Sequence, residues 1–271
     1  MKLEGKVSIV TGGGQGIGEG IVRCLAEEGA DIAIIDINGA NATKVANEVK
    51  APGLRTLAIE ADITENDRVV KAVQDVLNFF GKIDILVNNV GGYPAGELEN
   101  ATGMRIIDRS EEEWDGCYEL NLKTQVLMCR AVVPHLVKQK SGKIVNISSI
   151  GGRQPSGQLI CYATAKAGVI YYTKTLAREL AGDNINVNCI CPGVLYTPLW
   201  ERGAATFSQL RPETKEMSPR EYFDTFLGSQ VPLGRPQTPE DIGRAVVFFA
   251  SDDAKNVTGQ TLDVDGGSAF V

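Results

Sequence analysis

The sequence predicts a three-layer, doubly wound α/β fold around a parallel sheet of about seven strands, and three features carry that prediction. Short β-branched runs recur along the chain, stretches with helical apolar spacing separate them, and the first run leads straight into a glycine-rich turn. Strands buried on both faces read as continuous apolar runs, and parallel neighbours need helical crossovers on both faces of the sheet.

The runs are Lys6–Val10, Asp31–Asp36, Arg55–Glu60, Ile83–Asn88, Lys143–Ser148, Ile185–Ile190 and Thr261–Val264. Helical spacing occupies Ile17–Glu28, Asn66–Phe79, Trp114–Val137 and Cys161–Leu180. With no internal repeat or linker-like composition shift, one domain over 1–271 is expected. Ligands of such sheets bind beyond the carboxyl ends of the strands, where strand order reverses, and chemistry is sought there.

The chain of 271 residues has 34 acidic against 27 basic side chains and a formal charge of −7. No Lys/Arg cluster is present to neutralise phosphates, which argues against nucleic acid as a partner. No apolar run approaches the roughly 20 residues that cross a bilayer. Met1–Lys6 carries charges where a signal peptide needs apolar residues, so a cytoplasmic protein without a membrane partner is expected. The six cysteines (Cys24, Cys117, Cys129, Cys161, Cys189, Cys191) form no CxxC pair and no Cys/His cluster, so they are expected as buried thiols and not metal ligands. Cys189 and Cys191, two apart in a strand, share one face.

The turn after the first strand reads Thr11-Gly12-Gly13-Gly14-Gln15-Gly16-Ile17-Gly18. Glycines let a backbone approach a pyrophosphate, and a helix N-terminus offers N–H donors and partial positive charge. No Lys-Ser/Thr follows, which excludes a P-loop, and Ile17 breaks GxGxxG; the pattern is TGxxxGxG with Gly12, Gly16 and Gly18 fixed. Asp36 ends the second strand about 20 residues on, where a carboxylate accepts hydrogen bonds from an adenosine ribose. A 2′-phosphate beside it would meet like charge worth roughly 4 kcal/mol at about 4 Å near a surface. Gln15 and Ile37 offer no compensating base, so the expected cofactor is NAD.

Tyr162 and Lys166 lie four apart at the head of a helix and share a face. A tyrosine of ordinary pKa near 10 needs a shift of about 3 units to act as a base near neutrality, which a close ammonium helps to supply. Ser148-Ser149 closes the fifth run at the same sheet edge as the glycine turn, and Asn121 sits in an apolar helical setting where an amide needs partners. Separately, each has a plainer reading: Ser149 as a turn cap, Asn121 as a satisfied core amide.

Together these residues resemble the short-chain dehydrogenase/reductase family, over essentially the whole chain and in order: 11–18, Asp36, Asp62-Ile63, Asn88-Asn89-Val90-Gly91, Asn121, Ser149, Tyr162, Lys166, and Pro192-Gly193 with Thr197. The resemblance implies a Rossmann fold in which Ser149 orients the substrate oxygen and Tyr162 exchanges its proton. It implies further that Lys166 holds the nicotinamide ribose and lowers the Tyr162 pKa, and that Asn121 anchors a relay water. Gly12, Gln15, Gly16, Ile17 and Gly18 would hold pyrophosphate, with Asp36 and Ile37 at the ribose and Asp62 and Ile63 at adenine. Asn89 and Gly91 would follow along the cofactor, and Pro192, Gly193, Leu195 and Thr197 would meet nicotinamide. Ser149 is chosen over Ser148 by its interval to Tyr162. Val90 departs from the family's alanine and would narrow the floor near the ribose.

The family also implies a homotetramer and a lid, here an enlarged insertion over about 198–232 carrying Trp200, Phe207, Leu210, Met217, Tyr222, Phe223 and Phe226. These either cover the substrate or pack a helical hairpin or a subunit contact. The segment 92–113 is long enough to form an opposite wall. Arg153 reads as an ion-pair partner before a substrate anchor, and the lone His135 as structural; with no GxSxG, a Ser-His-Asp hydrolase is excluded. The expected activity is NAD-dependent interconversion of a small secondary alcohol and a ketone. The alternatives are a 3-oxoacyl or hydroxyacyl thioester reductase or dehydrogenase, disfavoured by Asp36 because biosynthetic reductases generally use NADPH, and a non-catalytic NAD-binding sensor.

Overall fold

Strands β1 (Val7–Thr11), β2 (Asp31–Asp36), β3 (Thr56–Glu60), β4 (Ile85–Asn88), β5 (Gly142–Ile147), β6 (Ile185–Pro192) and β7 (Thr261–Val264) form one sheet in a computed structural model that describes residues 1–94, 105–155, 159–209 and 212–270. Their order is β3-β2-β1-β4-β5-β6-β7, and each of the six pairings is parallel. The order reverses between β1 and β4, which opens a crevice at their carboxyl ends.

The helices are α1 (Gly16–Glu27), α2 (Gly39–Glu48), α3 (Asn66–Phe80), α4 (Glu111–Tyr118), α5 (Thr124–Gln139), α6 (Ile160–Leu180), α7 (Pro198–Gln209), α8 (Pro219–Gln230) and α9 (Pro239–Ala250). Alternate residues of each central strand point to opposite cores. Val10, Ile32, Ile34, Val87 and Val145 pack under α1, α2 and α9, while Val7, Ile9, Ala33, Ile35 and Leu86 pack under α3, α5 and α6. Both faces are apolar because both are covered, so the strand runs showed no polar alternation. The third layer is closest at α1 and α9, where a Cβ on Gly20 would stand 2.4 Å from Pro239.

The helix expected over Trp114–Val137 starts earlier and is not continuous. Ser110 caps α4, its Oγ accepting from the Glu113 N–H at 3.1 Å, and three glutamates in the first turn suit the positive end of the helix dipole. A π turn over Glu119–Lys123 then separates α4 from α5. Helix α2 went unnoticed in the sequence because only Ala42, Val45 and Ala46 of it are buried, too few for a strong apolar period. No described helix is long and apolar enough to cross a membrane.

Candidate active site

The glycine turn is latched to the end of β4. Thr11 Oγ1 donates to the Val87 carbonyl at 3.4 Å and accepts from the Asn89 and Val90 N–H groups at 3.0 and 3.2 Å. Asn89 Nδ2 in turn donates to the Thr11 and Gly12 carbonyls at 3.0 and 3.1 Å. Two glycines are required on separate grounds: Gly16 has a left-handed φ of +57°, and a Cβ on Gly18 would stand 1.9 Å from the Gly12 carbonyl oxygen. Asp36, 8% exposed, accepts from the Gly14 N–H on Oδ2 and from the Asn38 N–H on Oδ1, both at 2.9 Å. Gln15 and Ile37 are exposed beside it. A bare glycine cradle at the head of α1, flanked by a strand-end carboxylate, fits the pyrophosphate and ribose of a dinucleotide. Further along the edge, Asp62 Oδ1 accepts from the Thr64 N–H and hydroxyl at 2.9 and 2.7 Å. Ile63 is buried in the core under α3, which leaves chiefly its backbone to meet a ligand.

Ser149, Tyr162, Lys166 and Asn121 come together at the ends of β4 and β5. Ser149 Oγ accepts from the Gly151 N–H at 3.0 Å, capping a short 3-10 turn, and it lies near Tyr162: a Cβ on Gly151 would stand 3.4 Å from Ser149 Oγ and 3.8 Å from Tyr162 Cε1. Ser148 is committed elsewhere: it is buried and donates to the Lys166 carbonyl at 2.7 Å. Lys166 Nζ, buried, donates to the Ile147 carbonyl at 3.0 Å and stands 5.8 Å from the Tyr162 ring centre. Burial pushes the Lys166 ammonium down to about 8, against the opposing pull of Cys189 and Cys191. Asn121 is fully buried inside the π turn, with Nδ2 donating to the Gly92 and Cys117 carbonyls at 2.8 and 2.9 Å and Oδ1 accepting from the Gly92 N–H at 2.8 Å. Gly91 fits beneath both: a Cβ there would stand 2.5 Å from Lys166 Nζ and 2.8 Å from Asn121 Oδ1.

The lysine was expected to lower the tyrosine pKa. Burial instead dominates and pushes the Tyr162 phenol up to about 12, with the Ser149 hydroxyl pulling the other way. The phenol is therefore the resting form of the protein by itself.

A cavity of about 350 Å³ opens beside this group, lined by Ile17, Ser149, Tyr162, Pro192, Gly193, Leu195 and Thr197 among others. Gly193 must stay small, since a Cβ would stand 2.4 Å from that of Asp265, and Thr197 Oγ1 accepts from the Trp200 N–H at 3.3 Å to start α7. The remaining expected positions lie apart from the cavity: Asp36, Ile37, Asp62 and Ile63 follow the sheet edge towards β3, and Gly91, Asn121 and Lys166 lie behind Tyr162.

The apolar residues over 198–232 divide between the cavity and the core of a helical hairpin. Trp200, Phe207, Tyr222 and Phe226 line the cavity, while Phe223 is buried in the hairpin of α7 and α8 with its ring 4.9 Å from Trp200. Met217 is half-buried away from the cavity, and Leu210 lies outside the described residues. Arg153 is ion-paired with Asp263 at 3.1 Å. The six cysteines are buried free thiols, with Cys189 and Cys191 in one small cluster against Val169 and Ile170. Among the described residues no group of His, Cys, Asp and Glu is arranged to hold a metal ion.

The opposite wall contains a residue the sequence reading did not single out. Tyr93 stacks on Tyr162 with ring centres 6.0 Å apart and planes 30° apart, and its hydroxyl donates to Glu113 Oε1 at 3.2 Å. Glu113 pairs with Arg109 at 3.0 Å, their side chains 4% and 3% exposed. The available signal was the spacing of Arg109 and Glu113, opposite charges four apart. Residues 95–104 of that expected wall lie outside the described residues.

A family model described as enoyl-(acyl carrier protein) reductase matches residues 12–269. The 3-oxoacyl-(acyl-carrier-protein) reductase FabG of Thermotoga maritima is 37% identical over 267 residues, covering 98% of this chain and 99% of the relative. The (2S)-((R)-hydroxy(phenyl)methyl)succinyl-CoA dehydrogenase subunit BbsD of Thauera aromatica is 37% identical over 270 residues, covering 100% and 99%. The crystal structure of levodione reductase superposes with a TM-score of 0.86 at 29% identity, covering 99% of this chain and 100% of that one. Full-length similarity in sequence and fold agrees with the motif order, and the chain belongs to the short-chain dehydrogenase/reductase family of oxidoreductases.

Proposed function

We propose that the protein interconverts a secondary alcohol and a ketone with NAD as hydride carrier. The observation that supports this most directly is the presence of Ser149 and Tyr162 together in the wall of a cavity bounded by Ile17, Pro192 and Gly193. Bound NAD would supply or take the hydride at its nicotinamide ring. Gly12, Gln15, Gly16, Ile17 and Gly18 would hold its pyrophosphate, Asp36 and Ile37 the adenosine ribose, Asp62 and Ile63 the adenine, Asn89 the adenosine side of the cofactor with Gly91 following it, and Pro192, Gly193, Leu195 and Thr197 the nicotinamide. Asp36 is the ground for NAD over NADP, since its nearly buried carboxylate stands where a 2′-phosphate would bring like charge.

In this reading Ser149 hydrogen-bonds the substrate oxygen. Tyr162 gives its phenolic proton to a carbonyl in reduction and, as phenolate, takes the hydroxyl proton in oxidation. Lys166 spends one N–H on Ile147 and keeps two for ribose hydroxyls. Asn121, whose Nδ2 donates to the Gly92 and Cys117 carbonyls, positions Gly91 under Lys166, and its Oδ1 keeps a second lone pair for a relay water. We further place the protein, as one domain over 1–271 and a homotetramer, in a reducing cytoplasm, in keeping with six unpaired buried thiols; light scattering tests the assembly.

The test is reduced-nicotinamide absorbance with NAD and secondary alcohols. Turnover is expected in the wild type and lost in Tyr162→Phe; full retention in that variant overturns the mechanism. The names of the FabG and BbsD relatives favour a second reading, a thioester substrate, and a preference for NADPH with an oxoacyl thioester would establish it. Tight NADH binding without turnover across a broad panel would instead favour a sensor.

A further inference from the structure

We propose that the substrate is an uncharged, ring-bearing ketone or secondary alcohol with a second uncharged oxygen, which Gln154 hydrogen-bonds; this rests on the alcohol–ketone reading above. The cavity beside Tyr162 has no Asp, Glu, Lys, Arg or His among its described lining residues. A carboxylate entering it would shed its hydration without finding a counter-charge. Three arginines on the surrounding elements are held in ion pairs: Arg109 with Glu113, Arg153 with Asp263 and Arg220 with Asp224.

The walls are aromatic on two sides. Tyr93 stacks on Tyr162 with planes 30° apart, and the segment over 198–232 contributes Trp200, with Tyr222 and Phe226 ring centres 6.3 and 5.3 Å from it. Ring faces and edges set this way complement a flat or alicyclic body through offset and edge-to-face packing, which a flexible chain uses poorly. The volume of about 350 Å³ is at the small end for ligand sites and suits a substrate with one ring.

Ser149 and Tyr162 would take the reacting oxygen. Gln154 lines the same cavity, half-buried, and its side-chain amide hydrogen-bonds no described residue. An uncommitted amide in an apolar cavity is the polar group positioned to read a second oxygen.

The experiment compares kcat/KM, in whichever direction runs, for cyclohexanol, cyclohexane-1,2-diol and its hydroxyketone, 1-phenylethanol, a hydroxy acid and a hydroxyacyl-CoA. Neutral ring compounds are expected to exceed the hydroxy acid and the thioester by about 100-fold. Gln154→Leu is expected to raise KM about fivefold for the diol and hydroxyketone and to leave 1-phenylethanol unchanged. Preference for the acid or the thioester overturns the inference while leaving hydride transfer intact, and an equal effect of Gln154→Leu on all substrates overturns the second-oxygen assignment. Absence of turnover throughout overturns the alcohol–ketone reading. Binding then decides the inference: quenching of Trp200 fluorescence by the hydroxyketone but not by the hydroxy acid, abolished in Trp200→Phe, supports it, and the reverse order overturns it.

Discussion

Asn121 holds both backbone polar groups of Gly92, accepting from its N–H and donating to its carbonyl, each at 2.8 Å. The contact exists because the helix widens to a π turn at Glu119–Lys123, a distortion that recurs at functional sites. The widened turn leaves backbone carbonyls to be satisfied, and side chains do so: Asn121 Nδ2 takes that of Cys117 and Thr124 Oγ1 takes that of Leu120. Asn121→Ala would leave the buried Gly92 and Cys117 groups unpaired, at about 2–4 kcal/mol. Because Gly91 moves with Gly92, kcat should also fall about 100-fold, as for an active-site displacement near 1 Å. A lowered melting temperature with wild-type kcat would make the contact purely structural.

Protonation of Tyr162 sets the pH dependence. With its phenol held up to about 12 by burial, the base needed for oxidation is scarce at neutrality. Oxidation kcat/KM is therefore expected to rise with pH across roughly 6–9 while reduction stays flat. Stability follows the same group: folded and unfolded forms are both protonated below the ordinary value of 10.0, and the folded state loses stability as pH rises from there towards 12. Tyr162→Phe should lose roughly 10²–10⁴ in kcat yet resist alkaline unfolding better than the wild type. Equal alkaline midpoints, measured by circular dichroism, would show that the phenol is not held protonated by the fold.

The strands, the glycine turn and the Ser149–Tyr162–Lys166 series were legible because each is local: a β-branched run, a fixed glycine spacing, one helical turn. The π turn was not, since it is stabilised by Gly92, 29 residues from Asn121 in sequence. Nor was the stacking of Tyr93 on Tyr162, which depends on how α4 and α6 pack. The raised pKa of Tyr162 is not local either: a spacing of four places the Lys166 ammonium on the same face, 5.8 Å from the ring, but the shift comes chiefly from burial by the surrounding fold.

Lys166→Met should separate stability from function. The ammonium is pushed down to about 8 from 10.5 by burial, so the folded state binds fewer protons than the unfolded one between those values. The lysine therefore weakens the fold most below pH 8, and the penalty fades as pH rises to 10.5. At pH 7 the methionine variant, which keeps the apolar stem and orphans only the Ile147 carbonyl, is expected to melt about 2–5 °C higher while losing turnover. A lower melting temperature in differential scanning calorimetry would mean that the Ile147 hydrogen bond outweighs the desolvation.

Asp36→Asn tests cofactor choice with little change of shape. The carboxamide oxygen can still accept from one of the Gly14 and Asn38 N–H groups, while the charge is removed. The ratio of kcat/KM with NADP to that with NAD should rise about 10- to 1000-fold, the range spanned by losing part of a repulsion of roughly 4 kcal/mol. An unchanged ratio would show that something other than Asp36 excludes the 2′-phosphate.

Glu113 and Arg109 predict a specific non-additivity. Their side chains are 4% and 3% exposed, so neither charge has water to fall back on. Glu113→Gln leaves Arg109 buried without its carboxylate, at about 3–5 kcal/mol, whereas replacing both with apolar residues of similar volume removes the charge and the desolvation together and is expected to be near neutral. Function should not recover in parallel. Tyr93 donates to Glu113, and without that acceptor its ring is no longer held 6.0 Å from Tyr162. The Arg109→Met/Glu113→Leu double variant is thus expected to fold like the wild type and still show a raised KM with kcat changed much less, because Tyr93 forms a wall of the cavity and does not transfer the proton. Wild-type KM in a stable double variant would confine the buried pair to stability and free Tyr93 from any dependence on it.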